Sequence, residues 1–587
     1  MNSTHVVRLL LIWPSLALAQ VPDTFIKNCS GCHGAEGRGG SKGPGLAMNQ
    51  RVAEQSVEQL AAYLERGNIA AGMPAFADLA ENERTALARY VRRLNTDMIL
   101  PPARAAETRR KTNFGPPQPG DWLTHNGNLS GNRYSPLKQI TRANVSSLKL
   151  KWVFPIQYFG LETTALAGDG AVYVTGPNQV FAIDALTGEE IWRYSRPMSP
   201  GMVGDAKLGT NRGVAIEVGK VFFVTDNAHL LALDRGDGRL LWDISIPEER
   251  KGFYYGGTMA PLIFNNMVIV GVAGADEGIR GFVAAFSPDD GKLIWRHWTV
   301  PRKGEPGIET WQGKEPVSGG GSTWLTGSYD PSSDTLYWAT GNPWPDIDDK
   351  DRPGDNLYTD CVLALDAKTG ALKWHYQFTP HDVRDRDATE PNVLIDTVYR
   401  GKASKLLLHA DRNGFFYVLD RTNVKVLLAK PFLRQVDWAS EIGPDGRPVV
   451  KDPHGCPSDA ANWDSTAFSP ETKLYYVIAK EECGRPDRTS QRFLRALNIE
   501  TGNIVWEVPQ FGPAPNKIWT GVLATAGGLL FYGQPHGGFA AVDQRDGKAL
   551  WRFPTNVRMK ASPMTFSFGG NQYVVVAAGP NILCFGL

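Results

Sequence analysis

The first residues with a clear chemical pattern are two cysteines followed by a histidine, Cys29-Ser-Gly-Cys32-His33. Two thiols at this spacing can each add to one vinyl group of a haem, while the adjacent imidazole ligates the iron from one side. A redox-active dithiol also has two cysteines at this spacing, but it does not need the following histidine. The pattern therefore predicts one covalently attached haem c, bound through Cys29 and Cys32 and ligated by His33.

A haem that only carries electrons needs a second axial ligand, and Met73, which precedes Pro74, is the best candidate. A thioether ligand raises the reduction potential, and the proline restricts the loop that presents it. Met48 is the alternative ligand. Apolar residues at helical spacing over residues 81–94 predict a packing helix. Residues 20–100 as a whole resemble a class I cytochrome c.

The rest of the chain contains an eleven-residue repeat, of which Ala364–Trp374 (ALDAKTGALKW) is one copy. Each copy begins with alanine and ends with tryptophan, and a glycine precedes the tryptophan by four positions. The pattern of strand, glycine-containing turn and second strand ending in tryptophan is typical of a hairpin. The other copies are Ala182–Trp192, Ala232–Trp242, Ala285–Trp295, Ala496–Trp506 and Ala541–Trp551.

A degraded copy begins at Val418, and another strand ends in Trp152. With these two, the array contains eight positions of the repeat. Units of several tens of residues with four short strands each are typical of a β-propeller. A large β-sandwich with fortuitous tryptophan spacing is the alternative. We therefore predict an all-β, eight-bladed propeller over residues 120–587, after a small α-helical cytochrome c domain. The basic, proline-rich residues 101–119 are predicted to form a linker.

The beginning of the chain is typical of an exported protein. Residues 1–19 combine Arg8, an apolar run and the small residues Ala17 and Ala19, as before a signal-peptide cleavage site. They predict a secreted, periplasmic protein, with an uncleaved anchor as the alternative. We expect no membrane span, because no later segment is long and apolar enough. The formal net charge of +1 favours neither nucleic acid nor an anionic membrane as a partner.

Several motifs within residues 120–587 resemble the quinoprotein alcohol dehydrogenases, which are eight-bladed propellers that carry pyrroloquinoline quinone (PQQ) and a metal ion on the axis. These motifs are Asp121-Trp122, Asn132–Leu137, the tryptophan repeats and Pro380-His381-Asp382. The resemblance implies a PQQ-dependent dehydrogenase that oxidises a small alcohol, sugar or polyol. It also implies Ca²⁺ or a lanthanide as the metal ion.

The same resemblance implies which residues contact the quinone. Arg212 is similar to the arginine that pairs with a PQQ carboxylate, and Arg412 to the arginine that bonds the quinone carbonyls. Trp324 is similar to the tryptophan that stacks on the quinone plane, with a core tryptophan as the alternative. Further implied cofactor contacts are Glu162, Thr258, Gly274, Ala275, Asn462, Trp463 and Trp519.

Cysteine positions both match and depart from this family. Cys456 and Cys483 match a family disulfide, which an exported protein permits. Alcohol-oxidising members often carry adjacent cysteines shortly before the arginine that Arg212 resembles, but residues 206–210 read AKLGT and cannot form that disulfide. We expect the remaining Cys361 and Cys584 to be buried.

The implied metal ligands are Asn342, Asp385 and one residue of the pair Asp276 and Glu277, which stand where the family has a glutamate. Adjacent residues on a strand point to opposite faces, so only one of the pair can face the metal, and we expect Asp276. By the same alternation, Asp387 returns to the face of Asp385 and adds a fourth oxygen ligand.

An additional anionic ligand favours a trivalent ion, because each ligand charge attracts a 3+ ion more strongly than a 2+ ion. Relatives that oxidise sugars also show two aspartates at this spacing with Ca²⁺ or Mg²⁺. Lanthanide and Ca²⁺ are therefore both predicted for the native site. The alternative for Asp387 is an ion pair with Arg384 or Arg386.

The implied chemistry joins the two parts of the chain. A hard cation beside an ortho-quinone withdraws charge from the carbonyl carbon that accepts hydride, while Asp385 takes the hydroxyl proton as general base. The cytochrome domain is the predicted first electron acceptor, with a downstream cytochrome or membrane oxidase after it. One alternative is a non-catalytic propeller scaffold fused to an electron-transfer cytochrome. Another is an enzyme that acts on a polymeric alcohol.

Overall fold

The structure, a computed structural model, describes residues 22–34, 37, 43, 45–47, 49, 52, 55–69, 72–95, 114–248, 253–313, 316, 318–483, 491–510, 520–535 and 537–587. The chain divides into two compact units, residues 1–105 and 106–587. The predicted signal peptide, Met48 and Trp519 lie outside the described residues. None of the helices in the described ranges is long and apolar enough to cross a membrane.

The front unit is α-helical, with helices Asp23–Asn28, Ser30–His33, Val57–Arg66 and Glu81–Arg93. The third helix begins in a capping box, because the Ser56 hydroxyl accepts the Gln59 N–H while the Gln59 side chain accepts the Ser56 N–H. The predicted packing helix is present and buries Leu87 and Val91 in a core that also includes Phe25 and Cys29.

Within the described residues the second unit contains eight blades, as predicted, and we number them in chain order. Each blade has four antiparallel strands, and one of them has a fifth, parallel strand. Blade 1 comprises Leu166–Gly168, Ala171–Gly176, Gln179–Asp184 and Glu190–Ser195. Blade 2 comprises Ala215–Glu217, Lys220–Val224, His229–Asp234 and Leu240–Ser245. Blade 3 comprises Leu262–Phe264, Met267–Gly271, Phe282–Phe286 and Leu293–Trp298. Blade 4 comprises Ser328–Asp330, Thr335–Ala339, Cys361–Asp366 and Leu372–Gln377.

Blade 5 comprises Val393–Tyr399, Lys402–Ala410, Phe415–Asp420 and Lys425–Pro431. Blade 6 comprises Ala467–Ser469, Leu474–Glu481, Gln491–Asn498 and Ile504–Gln510. Blade 7 comprises Val522–Thr525, Leu529–Gln534, Gly538–Asp543 and Ala549–Pro554, and Tyr134–Ser135 adds a short parallel strand to it. The remaining elements are the two-stranded sheet Ala439–Ile442 and Pro448–Val450, the α-helix Gly204–Lys207, and the 3₁₀ turns Val145–Ser147, Ala275–Glu277 and Ile308–Thr310.

Blade 8 closes the ring with strands from both ends of the unit. Its inner strands are Met564–Phe568, Asn571–Ala578 and Asn581–Gly586, and its outer strand is Lys149–Pro155. The outer strand pairs antiparallel with Asn581–Gly586, so that Trp152 is opposite Cys584. This pairing uses the hydrogen-bonding groups that would otherwise form an open sheet edge.

Among the described residues, tryptophans of the array join neighbouring blades at five of the eight junctions through their indole N–H groups. The indole N–H of Trp295 in blade 3 donates to the Ala367 carbonyl in the blade 4 turn, at 3.1 Å. In that turn Asp366 accepts the backbone N–H groups of Lys368 and Thr369, and Gly370 has a φ of +70°. The same indole-to-turn bond links Trp152 to Ala185, Trp192 to Arg235, Trp242 to Pro288 and Trp506 to Gln544. The tryptophan stands inside its strand rather than at its end, as Trp374 does in Leu372–Gln377.

Strand direction explains why distant segments meet at one end of the propeller. Strands alternate in direction, so the connection into the first strand of a blade and the connection between its second and third strands lie at the same end. The second kind of connection carries Asp276 in blade 3, Asn342 in blade 4 and Arg412 in blade 5. The first kind carries Trp324 before blade 4 and Asp385 before blade 5.

Candidate active site

A cavity of about 440 Å³ lies among these connections. This volume is within the range of about 300–1,000 Å³ that is usual for small-molecule sites. Its walls include Arg384, the alternative partner of Asp387, and four residues that the sequence did not single out, namely Asp205, Ser458, Asp459 and Glu482. The eleven predicted residues that line it are Thr258, Gly274, Ala275, Asp276, Trp324, Asn342, Asp385, Asp387, Arg412, Asn462 and Trp463.

Arg412 is held by three carboxylates. Its Nη2 lies 3.1 Å from Asp385 Oδ2, its Nη1 lies 3.2 Å from Asp387 Oδ2, and its Nε lies 3.3 Å from Asp459 Oδ1. Burial alone would lower the pKa of Arg412, but these acids raise it well above the ordinary arginine value. The guanidinium is therefore a fixed cation at the cavity wall.

Asp385 and Asp387 both reach the cavity, but the strand alternation that predicted this was wrong. They lie in a loop outside the strands, where their φ angles are +58° and +21°. Asp387 also accepts the backbone N–H of Asn342 at 3.0 Å. Its ion pair is with Arg412, whereas Arg386 donates to the Pro453 and Gly455 carbonyls.

The strand geometry predicted for Asp276 and Glu277 was also wrong. Both residues belong to the 3₁₀ turn Ala275–Glu277, not to a strand, and both line the cavity. Desolvation at the cavity wall raises the pKa of Asp276, and the neighbouring Asn342 side chain opposes that rise. Which of the two acidic residues would ligate a metal therefore stays a prediction.

The acidic residues of this wall fit a hard cation. Burial raises the pKa of Asp387 to about 6, Arg412 opposes this rise, and the charge of Asp276 adds to it. Burial also raises the pKa of Asp385 well above its usual value, and the charges of Asp387 and Asp276 contribute. Three carboxylates that repel one another, together with the Asn342 amide, are the oxygen donors that Ca²⁺ or a lanthanide prefers.

Arg212 and Glu162 are not among the residues that line the cavity, but they lie next to its aromatic wall. Nη2 of the buried Arg212 is 2.8 Å from Glu162 Oε2. Its guanidinium carbon lies 4.8 Å from the ring centroid of Trp324 and 5.4 Å from that of Trp463. These two indoles meet edge to face, with centroids 6.5 Å apart. Lys560, which the sequence did not single out, lies 3.5 Å from Glu162 Oε1.

These groups are compatible with an anionic aromatic ligand. Two cations face the single carboxylate of Glu162, and Arg212 Nε has no hydrogen-bond partner among the described residues. The indole of Trp324 adds a flat wall to the cavity. A planar acid such as PQQ needs both features, an aromatic face and compensating positive charge.

The remaining cysteines of the propeller agree with the sequence expectations. Cys456 and Cys483 form a disulfide, with Cα atoms 5.0 Å apart. It joins the segment that carries Asp459 to the end of the second blade 6 strand. Cys361 and Cys584 are free and buried.

The front unit holds the haem motif at the junction of its first two helices. The His33 N–H donates to the Cys29 carbonyl at 2.9 Å. Burial and the neighbouring Cys32 raise the pKa of the Cys29 thiol to about 11. Met73 packs against the apolar core of this unit, and its backbone pairs with Asn68.

Nothing in residue type or spacing pointed to Lys560, Asp459 or Glu482. Lys560 belongs to the connection before blade 8, and the other two reach the cavity near the disulfide. Lys560 meets Glu162 only once the ring has closed, and Asp459 meets Arg412 only once blades 5 and 6 pack together.

Comparison with known proteins agrees with this architecture. The family model "Glucose/ethanol/alcohol dehydrogenase, beta-propeller domain" matches residues 122–429 and 494–574. A second, "Cytochrome C oxidase, cbb3-type, subunit III", matches residues 17–91.

Similar curated proteins include the quinohemoprotein alcohol dehydrogenase ADH IIB of Pseudomonas putida, which is 37% identical over 511 residues, 78% of this chain and 73% of the relative. The lanthanide-dependent methanol dehydrogenase of Methylacidiphilum fumariolicum is 32% identical over 534 residues, 79% of this chain and 85% of the relative. The crystal structure of the quinohemoprotein alcohol dehydrogenase of Comamonas testosteroni superposes with a TM-score of 0.74 at 31% identity, covering 82% of this chain and 83% of that one. The chain therefore belongs to the PQQ-dependent quinoprotein alcohol dehydrogenases and is an oxidoreductase with an amino-terminal cytochrome c domain.

Proposed function

We propose that this chain oxidises an alcohol in the propeller cavity and passes the electrons to a haem c in its front domain. One observation carries the proposal: a carboxylate suited to act as a base, Asp385, lies 3.1 Å from a fixed cation, Arg412. Both border a cavity with further oxygen donors. A propeller scaffold that binds only other proteins has no need of this arrangement.

The proposed metal ligands are Asp276, Asn342, Asp385 and Asp387. Three of the four are carboxylates, and a bound cation would relieve their mutual repulsion. We propose that PQQ lies beside this ion, against Trp324, with Arg212, Glu162, Thr258, Gly274, Ala275, Asn462, Trp463 and Trp519 as its other contacts. When bound, PQQ supplies an ortho-quinone that accepts a hydride, and the ion supplies Lewis acidity.

The protein residues would do the acid-base and positioning work. Asp385 would accept the proton of the substrate hydroxyl at a carboxylate oxygen, and its raised pKa makes it a stronger base than a free carboxylate. Arg412 would hold that carboxylate in place and offer further N–H groups to the ring carbonyls. Trp324 and Trp463 would limit the access of water.

The front domain would be the electron acceptor. We propose that Cys29 and Cys32 attach the haem, that His33 and Met73 ligate its iron, and that residues 1–19 direct export to the periplasm. A downstream cytochrome or a membrane oxidase would then accept the electrons. The close spacing of Cys29, Cys32 and His33 at one helix junction supports this assignment.

Reconstitution tests the proposal. The purified protein, freed of quinone and metal, is expected to be inert toward alcohols with an artificial electron acceptor. Activity is expected to appear on adding PQQ with Ca²⁺ or La³⁺, and NAD should not replace PQQ. A panel of primary alcohols, sugars, polyols and polyvinyl alcohol would identify the substrate class. Activity with NAD alone, or no PQQ binding at all, would contradict the proposal and favour the scaffold alternative.

A further inference from the structure

Three buried residues lie outside the cavity lining, close to its arginine wall. His409 Nε2 is 3.1 Å from Asp411 Oδ2 and 3.7 Å from Glu390 Oε2. The exposed fractions of the three residues are 2% for Glu390 and 0% for both His409 and Asp411. We refer to Glu390, His409 and Asp411 as the buried clasp.

The buried clasp connects the two segments that carry the proposed catalytic groups. Glu390 lies in the loop that contains Asp385 and Asp387, three residues before the first strand of blade 5. Asp411 directly precedes Arg412, at the end of the second strand of blade 5. A shift of either segment relative to the other would therefore change the distances from Arg412 to its two aspartates.

The imidazole and the aspartate of the buried clasp are held rigidly. The His409 ring stacks on Phe378, with centroids 4.2 Å apart and an angle of 20° between the planes. Asp411 accepts the backbone N–H of Asn413 at 2.8 Å through its other oxygen. With Nε2–H donating to Asp411, His409 fixes the side chain of the residue next to Arg412.

Glu390 is the unusual member, because neither of its carboxylate oxygens has a hydrogen-bond partner among the described residues. Burial raises its pKa well above the ordinary value, and the charge of Asp411 adds to this rise. Burial of a carboxylate without hydrogen-bond donors disfavours its charged form, so this environment favours the neutral acid. As a neutral acid it can pack beside His409 without adding a negative charge near Asp387.

We propose that the buried clasp is a positioning unit that holds the Asp385–Asp387 loop against Arg412. This inference rests on the proposed function, because its value to the enzyme lies in the geometry of those three residues. The competing explanation is a second metal site, since one ligand atom from each member lies within 4.8 Å of the others. The two explanations differ in what Glu390 must be: a neutral acid in the first, an anionic ligand in the second.

Four variants of the full-length enzyme, loaded with PQQ and metal, separate these possibilities. His409→Leu removes the donor to Asp411, and we expect kcat to fall about 100-fold, as for a small misplacement of catalytic groups. His409→Gln can donate from its amide to Asp411, and we expect it to restore most of kcat. Glu390→Gln replaces a neutral acid with a neutral amide of the same size, and we expect nearly unchanged kcat and metal content. His297→Leu is the matched control, because His297 is a largely buried imidazole in the outer strand of blade 3.

The readouts are kcat, KM, the absorption spectrum of bound PQQ and the metal content per chain. We expect His409→Leu to alter kcat and the PQQ spectrum together, with His409→Gln close to wild type in both. If His409→Leu lowers only the melting temperature, or if His409→Gln is as impaired as His409→Leu, the positioning role is refuted. Loss of one of two bound metal ions in Glu390→Gln would establish a second metal site instead.

The proposed function can fail separately from this inference. Wild-type protein that binds PQQ but oxidises no alcohol would contradict the proposed function. In that case the PQQ spectrum of the same four variants still decides whether the buried clasp positions Arg412.

Discussion

Asp385 Oδ2 and Arg412 Nη2 are 3.1 Å apart at the wall of a cavity that no single segment of the chain encloses. Asp385 precedes blade 5 in the chain, and Arg412 follows its second strand. The two groups meet because both connections lie at the same end of the propeller. The ion pair keeps the carboxylate oriented, and burial raises its pKa at the same time. An oriented carboxylate with a raised pKa is suited to proton abstraction.

Replacing Asp385 tests its role as the base. Asp385→Asn keeps the size of the side chain and removes its basicity, so kcat should fall by about 10²–10⁴-fold, the usual contribution of a general base. Turnover should be lost with Ca²⁺ and with La³⁺ alike, and the absorption spectrum should show that PQQ stays bound. Asp289→Asn is the control, because the exposed carboxyl of Asp289 pairs with Lys220 outside the site. Near-normal turnover in Asp385→Asn would assign the base to another residue.

Asp387 should distinguish the two kinds of metal ion. If Asp387 is a ligand, Asp387→Ala removes one negative charge from the ion, and this loss is larger for a 3+ ion than for a 2+ ion. We therefore expect La³⁺-supported activity to fall far more than Ca²⁺-supported activity, at saturating PQQ. Small and equal losses with the two ions would leave Asp387 only as the partner of Arg412.

The pH dependence of metal binding follows from the same residue. Burial raises the pKa of Asp387 to about 6 in the metal-free protein, so the group is mostly protonated below pH 6 and must release its proton to bind an ion. Metal affinity should fall by at least about tenfold per pH unit below that value, because the proton of Asp387 competes with the ion. Titration of Asp387→Asn should show a flatter dependence of metal affinity on pH between pH 5 and 6.

The stability of the metal-free fold should change with pH in the opposite direction. The metal-free protein loses stability as pH rises from about 4 to 6, because the folded state holds the proton of Asp387 more tightly than the unfolded state does.

The blades were predictable because each repeat contributes one local contact. The tryptophan of the repeat makes the indole hydrogen bond, and the aspartate and the glycine make the turn. Their spacing in the chain is therefore enough to predict the blades. The site was predictable only by resemblance, and the geometric reasons given for Asp276 and Asp387 failed. Asp276 lies in a turn and Asp387 in a loop. A positive φ such as that of Asp387 does not change the pattern of apolar residues, so this pattern cannot predict it. Lys560 could not be found at all, because its proximity to Glu162 depends on ring closure.

Haem attachment can be tested in protein exported to the periplasm. Cys32→Ser removes one of the two thiols that would add to the haem vinyl groups, so covalently bound haem should be lost from the denatured chain. The wild-type chain should carry one haem and begin near Gln20. Ser30→Ala, within the same motif, should keep its haem. Wild-type protein with no haem, or with two, would exclude the assignment of the front domain.

The contact between repeat glycine and tryptophan should be measurable as stability. A Cβ at Gly370 would stand 2.5 Å from the Trp295 ring, whereas a Cβ at Gly219 would meet no atom within 4 Å. Both glycines have a positive φ, +70° and +77°, so alanine at either position costs about 1–2 kcal/mol from backbone strain alone. Gly370→Ala must also displace the indole, which adds about 1–3 kcal/mol for overpacking. The urea midpoint of the propeller transition should therefore fall more in Gly370→Ala than in Gly219→Ala.

A Trp295→Ala background removes the ring and provides the control. In that background the two glycine variants should lose equal stability. A persistent difference would mean that the Gly370 contact does not join blades 3 and 4.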